Sequence, residues 1–513
     1  MIKTIHIKNF RSIKEILLEP NSLCAILGAN SVGKTNVLKA IDLTLGEGWA
    51  TKAKVARELF NDTSKPIEIK IDFNTPLPHE YYGTVYSINY ITLYMEMYPE
   101  FKCEVRLKSH DVERDFFVND EFKRKCHFIY IPSNRDLNGQ LRVTNWTLLG
   151  KLMKEVYQNY VNFYSGNEEQ LRETFKEIMS PPRQFLEDDF DEESLTFKKF
   201  SDSFVKNCSN NSLGLSSGMK PELNIYNLNW FYKTLQITLT EDHSDKIFDS
   251  EEVGSGMQNL ILISIFQTYA ELMGGNVIFG IEEPEIYLYP QAQRALYKSF
   301  QEISNTSQIF YTSHNPNFID ASRAYEIEML CKTAEEGTIN TQKNKSFINA
   351  IEGEKQRFKI YTHFNTERNE IFFAKKVVLV EGDSDKIFYQ TLAELYWDYD
   401  LDRKGVSIIS CGGKGGVAYF TGLCVAMGIT NYYSIWDEDE PLDNAKLLNK
   451  TKLDGKGLEL SPNLEIFLNN TLGLQLSNDG SMKVKQAYEV AKDKITKEQS
   501  ESIFEGLLKF LDS

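Results

Sequence analysis

Apolar residues recur at two spacings along this chain, and the change from one to the other marks out its elements. Over 1–20, "IKTIHIKNFRSIKEILLEP" alternates apolar and polar positions, which predicts a pair of strands. "SLCAILG" is an unbroken apolar run of strand length and predicts a buried strand. "GKTNVLKAIDLTLG" then switches to helical spacing, with Gly46 near the helix end. "KPIEIKIDF" (65–73) and "YITLYMEMY" (90–98) alternate strictly, as antiparallel strands do. "KCHFIYIPSNRDL" (125–137) ends a strand in a turn, with Arg135 on the following loop and read as one half of a surface salt bridge. From about 145 to 215 the pattern turns helical and polar, as an insertion between two halves of one domain would. "FYKTLQITLT" returns to strand, and 254–320 alternate helix and strand in the parallel α/β pattern. A polar join is expected at 331–347, and a second α/β pattern begins near 375 with "KKVVLVEGDSDKIFYQTLAEL".

Composition narrows the classes. The chain has 513 residues, enough for roughly two to four domains. It is 42% hydrophobic and 25% charged, a globular balance that excludes a disordered or fibrous chain. No apolar run reaches the roughly 18 residues of a membrane helix, and "MIKTIHIKNF" reads as a strand rather than a signal peptide. Seven cysteines (24, 103, 126, 208, 331, 411 and 424) form no CxxC pair and no zinc spacing, so a reducing cytoplasm is expected. Net charge is -16. That argues against a basic coat but not against DNA binding, because local fields govern a groove and metal-site carboxylates are themselves negative.

Gly28-Ala29-Asn30-Ser31-Val32-Gly33-Lys34-Thr35 fits G-x-x-x-x-G-K-[ST] at every fixed position, with a strand before it and a helix after it. Glycines let backbone N–H groups turn toward phosphate oxygens. Lys34 brings a cation to the β and γ phosphates, and Thr35 offers a hydroxyl to Mg²⁺. In "NVIFGIEEPEIYLYPQAQRAL" (276–296) an apolar strand ends in Glu282 and Glu283. The first acid can hold Mg²⁺ through water and the second can polarise an attacking water. "GSGMQ" (254–258) is a small-residue turn before a helix, and His314 closes the strand of "SQIFYTSHNPNFID".

The order loop, signature, Glu-Glu, His resembles the ABC-type ATPases of the RecF, SMC and Rad50 group over roughly 1–74 and 220–325, and "IKNFRSI" (7–13) is similar to their opening strand. The resemblance implies that Asn30, Gly33, Lys34 and Thr35 bind ATP in one subunit, with Arg11 near the nucleotide and Glu282 at the Mg²⁺. Ser255, in the signature position, would reach the ATP of a second subunit. Glu283 would be the catalytic base and His314 the switch histidine. No long heptad run exists, so an SMC arm is excluded.

A second constellation follows. Glu381 ends an apolar strand and Asp385 starts the next helix; "GVSIISCGGKGGV" ends a strand in glycines; "YYSIWDEDEP" ends one in Asp437-Glu438-Asp439. Side chains alternate along a strand, so Asp437 and Asp439 share a side. Acids at the C-terminal edge of a parallel sheet make a hard oxygen site suited to Mg²⁺ or Mn²⁺. Glu-Gly, a glycine turn and Asp-x-Asp resemble the Toprim domain over about 375–513, with Glu381, Asp437 and Asp439 as its acids and Gly412-Gly413 as its turn. "SPNLEIFL" resembles the segment that supplies a further acid, Glu465, and "SMKVKQAYEV" the final lysine-bearing segment, with Lys483 or Lys485 neutralising the scissile phosphate. Lys414, between the glycines, is equally read as solvated or as a phosphate contact.

An ABC-type head followed by a Toprim domain resembles the OLD (overcoming lysogenization defect) family, the family of the Gabija antiphage nuclease. The fold class implied is α/β: an ABC/SMC-like P-loop ATPase head with a helical dimerisation insertion, then a C-terminal Toprim domain. The expected division is 1–145 and 219–345 for the two head halves, 146–218 for the insertion, 346–374 for a linker and 375–513 for Toprim. The function implied is an ATP-regulated, divalent-metal-dependent DNA endonuclease in antiphage defence. It would act as a homodimer or higher homo-oligomer, with a separate helicase-like or effector subunit as a further partner. Two other readings are a sensor ATPase resembling that of the PARIS defence system, with a non-cleaving Toprim, and a RecF-like repair ATPase, which leaves the Toprim acids without a role.

Overall fold

The computed structural model describes residues 1–46, 48, 57–133, 144, 147–163, 168–181, 196, 198–200, 202–203, 206, 237–240, 247–250, 252–273, 277–342, 366–413, 415–438, 445–476 and 484–513. They fall into two compact units, Met1–Ser133 with Met273–Ser513, and Asn134–Leu272. Strands in chain order are β1 (Ile2–Phe10), β2 (Ile13–Leu18), β3 (Leu23–Leu27), β4 (Ile67–Tyr81), β5 (Thr84–Glu96), β6 (Lys102–Lys108), β7 (Asp115–Phe117), β8 (His127–Ile131), β9 (Thr238–Thr240), β10 (Ile247–Asp249), β11 (Val277–Glu282), β12 (Gln308–Thr312), β13 (Ile327–Thr333), β14 (Gly337–Asn340), β15 (Lys376–Val380), β16 (Val406–Ser410), β17 (Tyr432–Asp437) and β18 (Gly457–Leu460).

In the first unit twelve of these strands form one sheet in the order β7-β6-β5-β4-β1-β2-β14-β13-β3-β12-β11-β8. From β13 to β8 neighbours are parallel; from β13 through β14 to β7 they are antiparallel. The sequence dictates this split. β3, β11 and β12 are buried at every position, as strands covered on both faces must be. β4 and β5 alternate buried and exposed positions, so one face packs and the other is wet. Helix Lys34–Leu45 buries Val37, Leu38, Ile41 and Leu45, the helical spacing read from the sequence.

Two expectations change. The strands at 65–73 and 90–98 extend into one long hairpin turning at Tyr82-Gly83, both with positive φ, because a register shift between Asp72 and Leu77 absorbs Pro76 and pairing resumes with Pro78 opposite Ser87. The polar join at 331–347 is overturned at its start. Residues 331–333 finish β13 and 337–340 form β14, the strand that stitches the parallel part of the sheet to the antiparallel part. Its few side chains lie at the seam of the sheet, so no long apolar alternation announces it.

The same unit carries a second sheet, β16-β15-β17-β18, parallel throughout. Its order reverses between β15 and β17, and α/β sheets hold ligands beyond the C-terminal strand ends at such a switch point. The 3₁₀ helix Thr366–Phe372 leads into this sheet and is tied on both sides. Buried Asn369 donates from Nδ2 to the carbonyls of Pro316 and Ile319, each at 2.7 Å, and Arg368 Nε donates to the Ser410 carbonyl at 2.7 Å.

The second unit contains the antiparallel β9–β10 pair and the helices Leu148–Phe163 and Glu168–Ile178, where the helical insertion is expected, and most of the helix Ser255–Met273.

Candidate active sites

The loop 28–33 leaves β3 at the C-terminal edge of the parallel strands, beside the ends of β12 and β11. Its path needs two glycines. Gly28 has φ 141°, and a Cβ there would stand 2.3 Å from the Leu330 carbonyl oxygen. Gly33 has φ 108°, and a Cβ there would meet the hydroxyls of Thr338 and Ser12 at 2.6 and 2.7 Å. Those hydroxyls brace the loop. Thr338 donates to the Val32 carbonyl at 2.6 Å, and Ser12 bonds Thr338 at 2.7 Å and accepts from Asn36 at 2.8 Å. Asn30 is exposed at the loop tip.

Lys34 Nζ folds back over the loop and donates to the carbonyls of Gly28 and Ala29, both at 2.9 Å. Burial brings the ammonium down to about 8, against the pull of Glu283 and Glu285. A phosphate favours the ammonium, so nucleotide binding takes up a proton once the free lysine has begun to lose it. Nucleotide affinity is therefore expected to fall as pH rises through about 8, by up to about tenfold per pH unit. Calorimetry in buffers of different ionisation enthalpy checks this; affinity that is flat between roughly pH 7 and pH 9, with no proton uptake, would contradict it.

Glu282, the last residue of β11, is 4% exposed and fully engaged. It accepts from Tyr130 Oη at 2.9 Å, from the Ser133 amide at 3.0 Å and from the Ser133 hydroxyl at 3.1 Å, and it is hydrogen-bonded to Thr35. Burial raises its carboxyl, but these bonds outweigh burial and hold it below the usual value, so it is ionised. A carboxylate beside the Thr35 hydroxyl is a hard oxygen pair, and the residues fit Mg²⁺.

Glu283 takes a left-handed backbone, φ 43°, with its amide donating to the Thr312 carbonyl at 2.9 Å. A non-glycine residue held there is strained, and such strain concentrates at functional sites. His314 follows β12. Burial and the Lys34 charge lower its ring, partly opposed by Glu283, so the ring is neutral near pH 7. Lys34, Glu283 and His314 therefore share one electrostatic neighbourhood. Arg11 also has positive φ, 51°; its amide donates to the Leu59 carbonyl at 2.8 Å and its charge bears on Tyr130, the partner of Glu282. Ser255 starts the helix Ser255–Met273 in the second unit.

At the second sheet, Glu381 follows β15 and Asp437 ends β17, the two strands that flank the switch point. The glycine turn is stapled to β15: the Cys411 amide donates to Val380 and the Gly413 amide to Glu381, both at 2.8 Å. Gly412, φ 83°, lies against the Arg368 guanidinium, which a Cβ would meet at 2.6 Å. Asp385 Oδ2 accepts from the Gly382 amide at 2.9 Å and so caps its own helix. Burial, then the Glu465 charge, pushes its carboxyl up to about 6. Glu465 is buried in the first turn of the helix Leu464–Leu472, and the preceding segment is hooked to Glu438, whose amide donates to the carbonyls of Leu460 and Pro462. Tyr389, fully buried one helical turn beyond Asp385, feels the charges of both Asp385 and Asp437.

The donors are all carboxylates, which fits Mg²⁺ or Mn²⁺ in kind. Among the described residues no three His, Cys, Asp or Glu are already gathered as a ligand set. Asp439, Lys483, Lys414 and Arg135 lie outside the described residues. Lys485 is on the exposed face of the helix Val484–Asp493, its side chain 87% exposed and 3.6 Å from Glu489.

Sequence reasoning passed over Tyr130, Ser133, Ser12, Thr338, Arg368 and Glu285. Glu285 alone carried a local signal, as the third acid of "EEPE". Ser12 lies within the quoted "IKNFRSI" but only Arg11 of that stretch was singled out; the others reach the sites from far along the chain and belong to no motif.

Residues 1–127 and 88–319 match the AAA ATPase domain family, and 372–439 match the family described as overcoming lysogenization defect protein-like, TOPRIM domain. The OLD nuclease of Thermus scotoductus is 28% identical over 86% of this chain and 83% of its own length. The Old nuclease of Escherichia phage P2 is 22% identical over 83% and 75%, and the endonuclease GajA of Bacillus cereus 24% identical over 80% and 70%. The Smc head bound to the C-winged helix domain of ScpA aligns with a TM-score of 0.40 at 16% identity, over 66% of this chain and 96% of that one. With an AAA ATPase domain filling its first three hundred residues and an OLD-like Toprim after it, the chain belongs to the OLD-family nucleases and is similar to GajA.

Proposed function

We propose that this chain is an ATP-regulated DNA endonuclease of antiphage defence that hydrolyses phosphodiester bonds at its Toprim edge. The observation that carries the reading is the position of Glu381 and Asp437 at the ends of the two strands flanking the switch point, with Asp385 capping the helix after Glu381 and Glu465 within electrostatic reach of Asp385. Glu381, Asp437, Asp439 and Glu465 would hold Mg²⁺ or Mn²⁺, which supplies an activated water and charge neutralisation at the phosphate. Asp385 caps its helix and keeps the Glu381-Gly382 turn in shape. Lys483 or Lys485 would meet the scissile phosphate. In the head, Lys34 grips the β and γ phosphates, with Asn30, Gly33 and Arg11 around them. Thr35 and Glu282 would hold Mg²⁺, Glu283 would polarise water and His314 would sense the terminal phosphate. Ser255 would complete the ATP site of a second copy, so the working form is a homodimer or larger homo-oligomer in the cytoplasm. The division at 145, 218, 345 and 374 belongs to the same reading, as does a separate helicase-like or effector subunit.

The test is cleavage of supercoiled plasmid with Mg²⁺ or Mn²⁺, with and without ATP. Nicked or linear product is expected with either metal. EDTA is expected to abolish it and excess metal to restore it. ATP hydrolysis with no cutting under either metal would replace this reading with the sensor ATPase.

A further inference from the structure

We infer that Glu285 is a positioning residue of the ATP site, which sets His314 at the phosphate edge by holding its backbone rather than its ring. The inference rests on ATP being hydrolysed at the 28–35 loop. Glu285 follows the strained Glu283 by two residues, in a turn closed by the Ile286 amide on Glu283 and the Leu288 amide on Glu285. That turn directs the carboxylate back toward the end of β12. Its Oε1 accepts from the Ser313 hydroxyl at 2.8 Å and from the His314 amide at 2.9 Å. Ser313 is completely buried, and its hydroxyl also accepts from the Asn315 amide at 3.0 Å. One carboxylate oxygen therefore fixes three consecutive residues, with His314 in the middle.

The placement has a cost. The other oxygen, Oε2, is closed off from solvent and has no hydrogen-bond partner among the described residues. An acceptor left unsatisfied costs free energy that a glutamate needed only to close a turn would avoid by facing outward. Burial, and to a smaller degree the charge of Glu283, raises the carboxyl, while Lys34 feels both acids. Glu285 is thus held among the loop lysine, the acid expected to polarise water and the histidine expected to read the γ-phosphate. Among the described residues, the Ser313 and His314 bonds are the contacts that tie this carboxylate to the end of β12.

The test compares Glu285→Gln, Glu285→Ala, His314→Ala and the double variant Glu285→Ala/His314→Ala in steady-state ATP hydrolysis, with thermal melting as the folding check. Glutamine keeps an acceptor oxygen for Ser313 and His314. It is expected to recover most of the kcat that alanine loses. Glu285→Ala is expected to lower kcat by about 10- to 100-fold with KM for ATP changed by less than about threefold, since His314 is misplaced but the loop is intact. Adding Glu285→Ala to His314→Ala is expected to cause no further loss, because one acts through the other. Wild-type kcat in Glu285→Ala, or losses that multiply in the double variant, would overturn the inference while leaving ATP hydrolysis in place. An inert wild type would overturn both. If Glu285→Ala melts early, Glu285→Gln beside His314→Ala still decides: a glutamine variant as slow as His314→Ala rejects the positioning role.

Discussion

Replacing Glu381 with alanine is expected to abolish DNA cleavage while ATP hydrolysis and the melting temperature stay near wild type. The loss is expected to exceed the roughly 10- to 100-fold that removal of an outer partner of a metal ligand costs, because Glu381 would touch the metal itself. The fold tolerates the change. The bonds that shape this corner run from the Cys411 and Gly413 amides to the carbonyls of Val380 and Glu381, and alanine keeps a carbonyl. Because these main-chain bonds are kept, the variant is expected to melt no earlier than the wild type. Plasmid cleavage and calorimetry on the same preparations check both halves. Cleavage that survives in Glu381→Ala would place the chemistry away from the β15–β17 switch point.

Lys34→Ala is expected to weaken ATP binding by about 10- to 100-fold and to stop hydrolysis. A cation contacting phosphate contributes roughly 1.5 to 3 kcal/mol, and each 1.4 kcal/mol is tenfold in affinity. Nucleotide-free cleavage is expected to persist, and any response of cleavage to ATP is expected to vanish. The variant also strips the Gly28 and Ala29 carbonyls of their partner, so a lower melting temperature for the nucleotide-free protein is part of the expected result. Equilibrium binding of a fluorescent ATP analogue, single-turnover hydrolysis and plasmid cleavage are the readouts. An ATP response of cleavage that survives in Lys34→Ala would mean that the nucleotide acts somewhere other than this loop.

What could be read from the sequence follows how local each signal is. Gly28 to Thr35 form one contiguous loop, and its strand and helix flank it directly, so the spacing alone conveys the shape. Glu282, Glu381 and Asp437 were legible because each closes an apolar run, and a parallel sheet brings its strand ends to one edge. The braces were not. Thr338 reaches Val32 across 306 residues, and Tyr130 reaches Glu282 across 152. No periodicity encodes such a pairing. β14 was hidden for a related reason: it is four residues long, lies in a seam and takes its identity from β13 and β2 rather than from its own pattern. Asp385 shows the opposite case. Its place at a helix start was plain, but the same position makes it the cap of its own helix, a task that competes with metal ligation.

The joint at Asn369 bears on how this architecture drifts over evolutionary time. Asn369 grips the Pro316 and Ile319 carbonyls, so it recognises the course of the main chain and is indifferent to the side chains it passes. Arg368 does the same at Ser410. Substitutions can accumulate in the turn after His314 and in the strand before the glycine turn without loosening the seam, provided the backbone keeps its path. Two enzymes of this kind can thus look unrelated along both surfaces of the seam and still be joined alike, with a single asparagine as the visible trace.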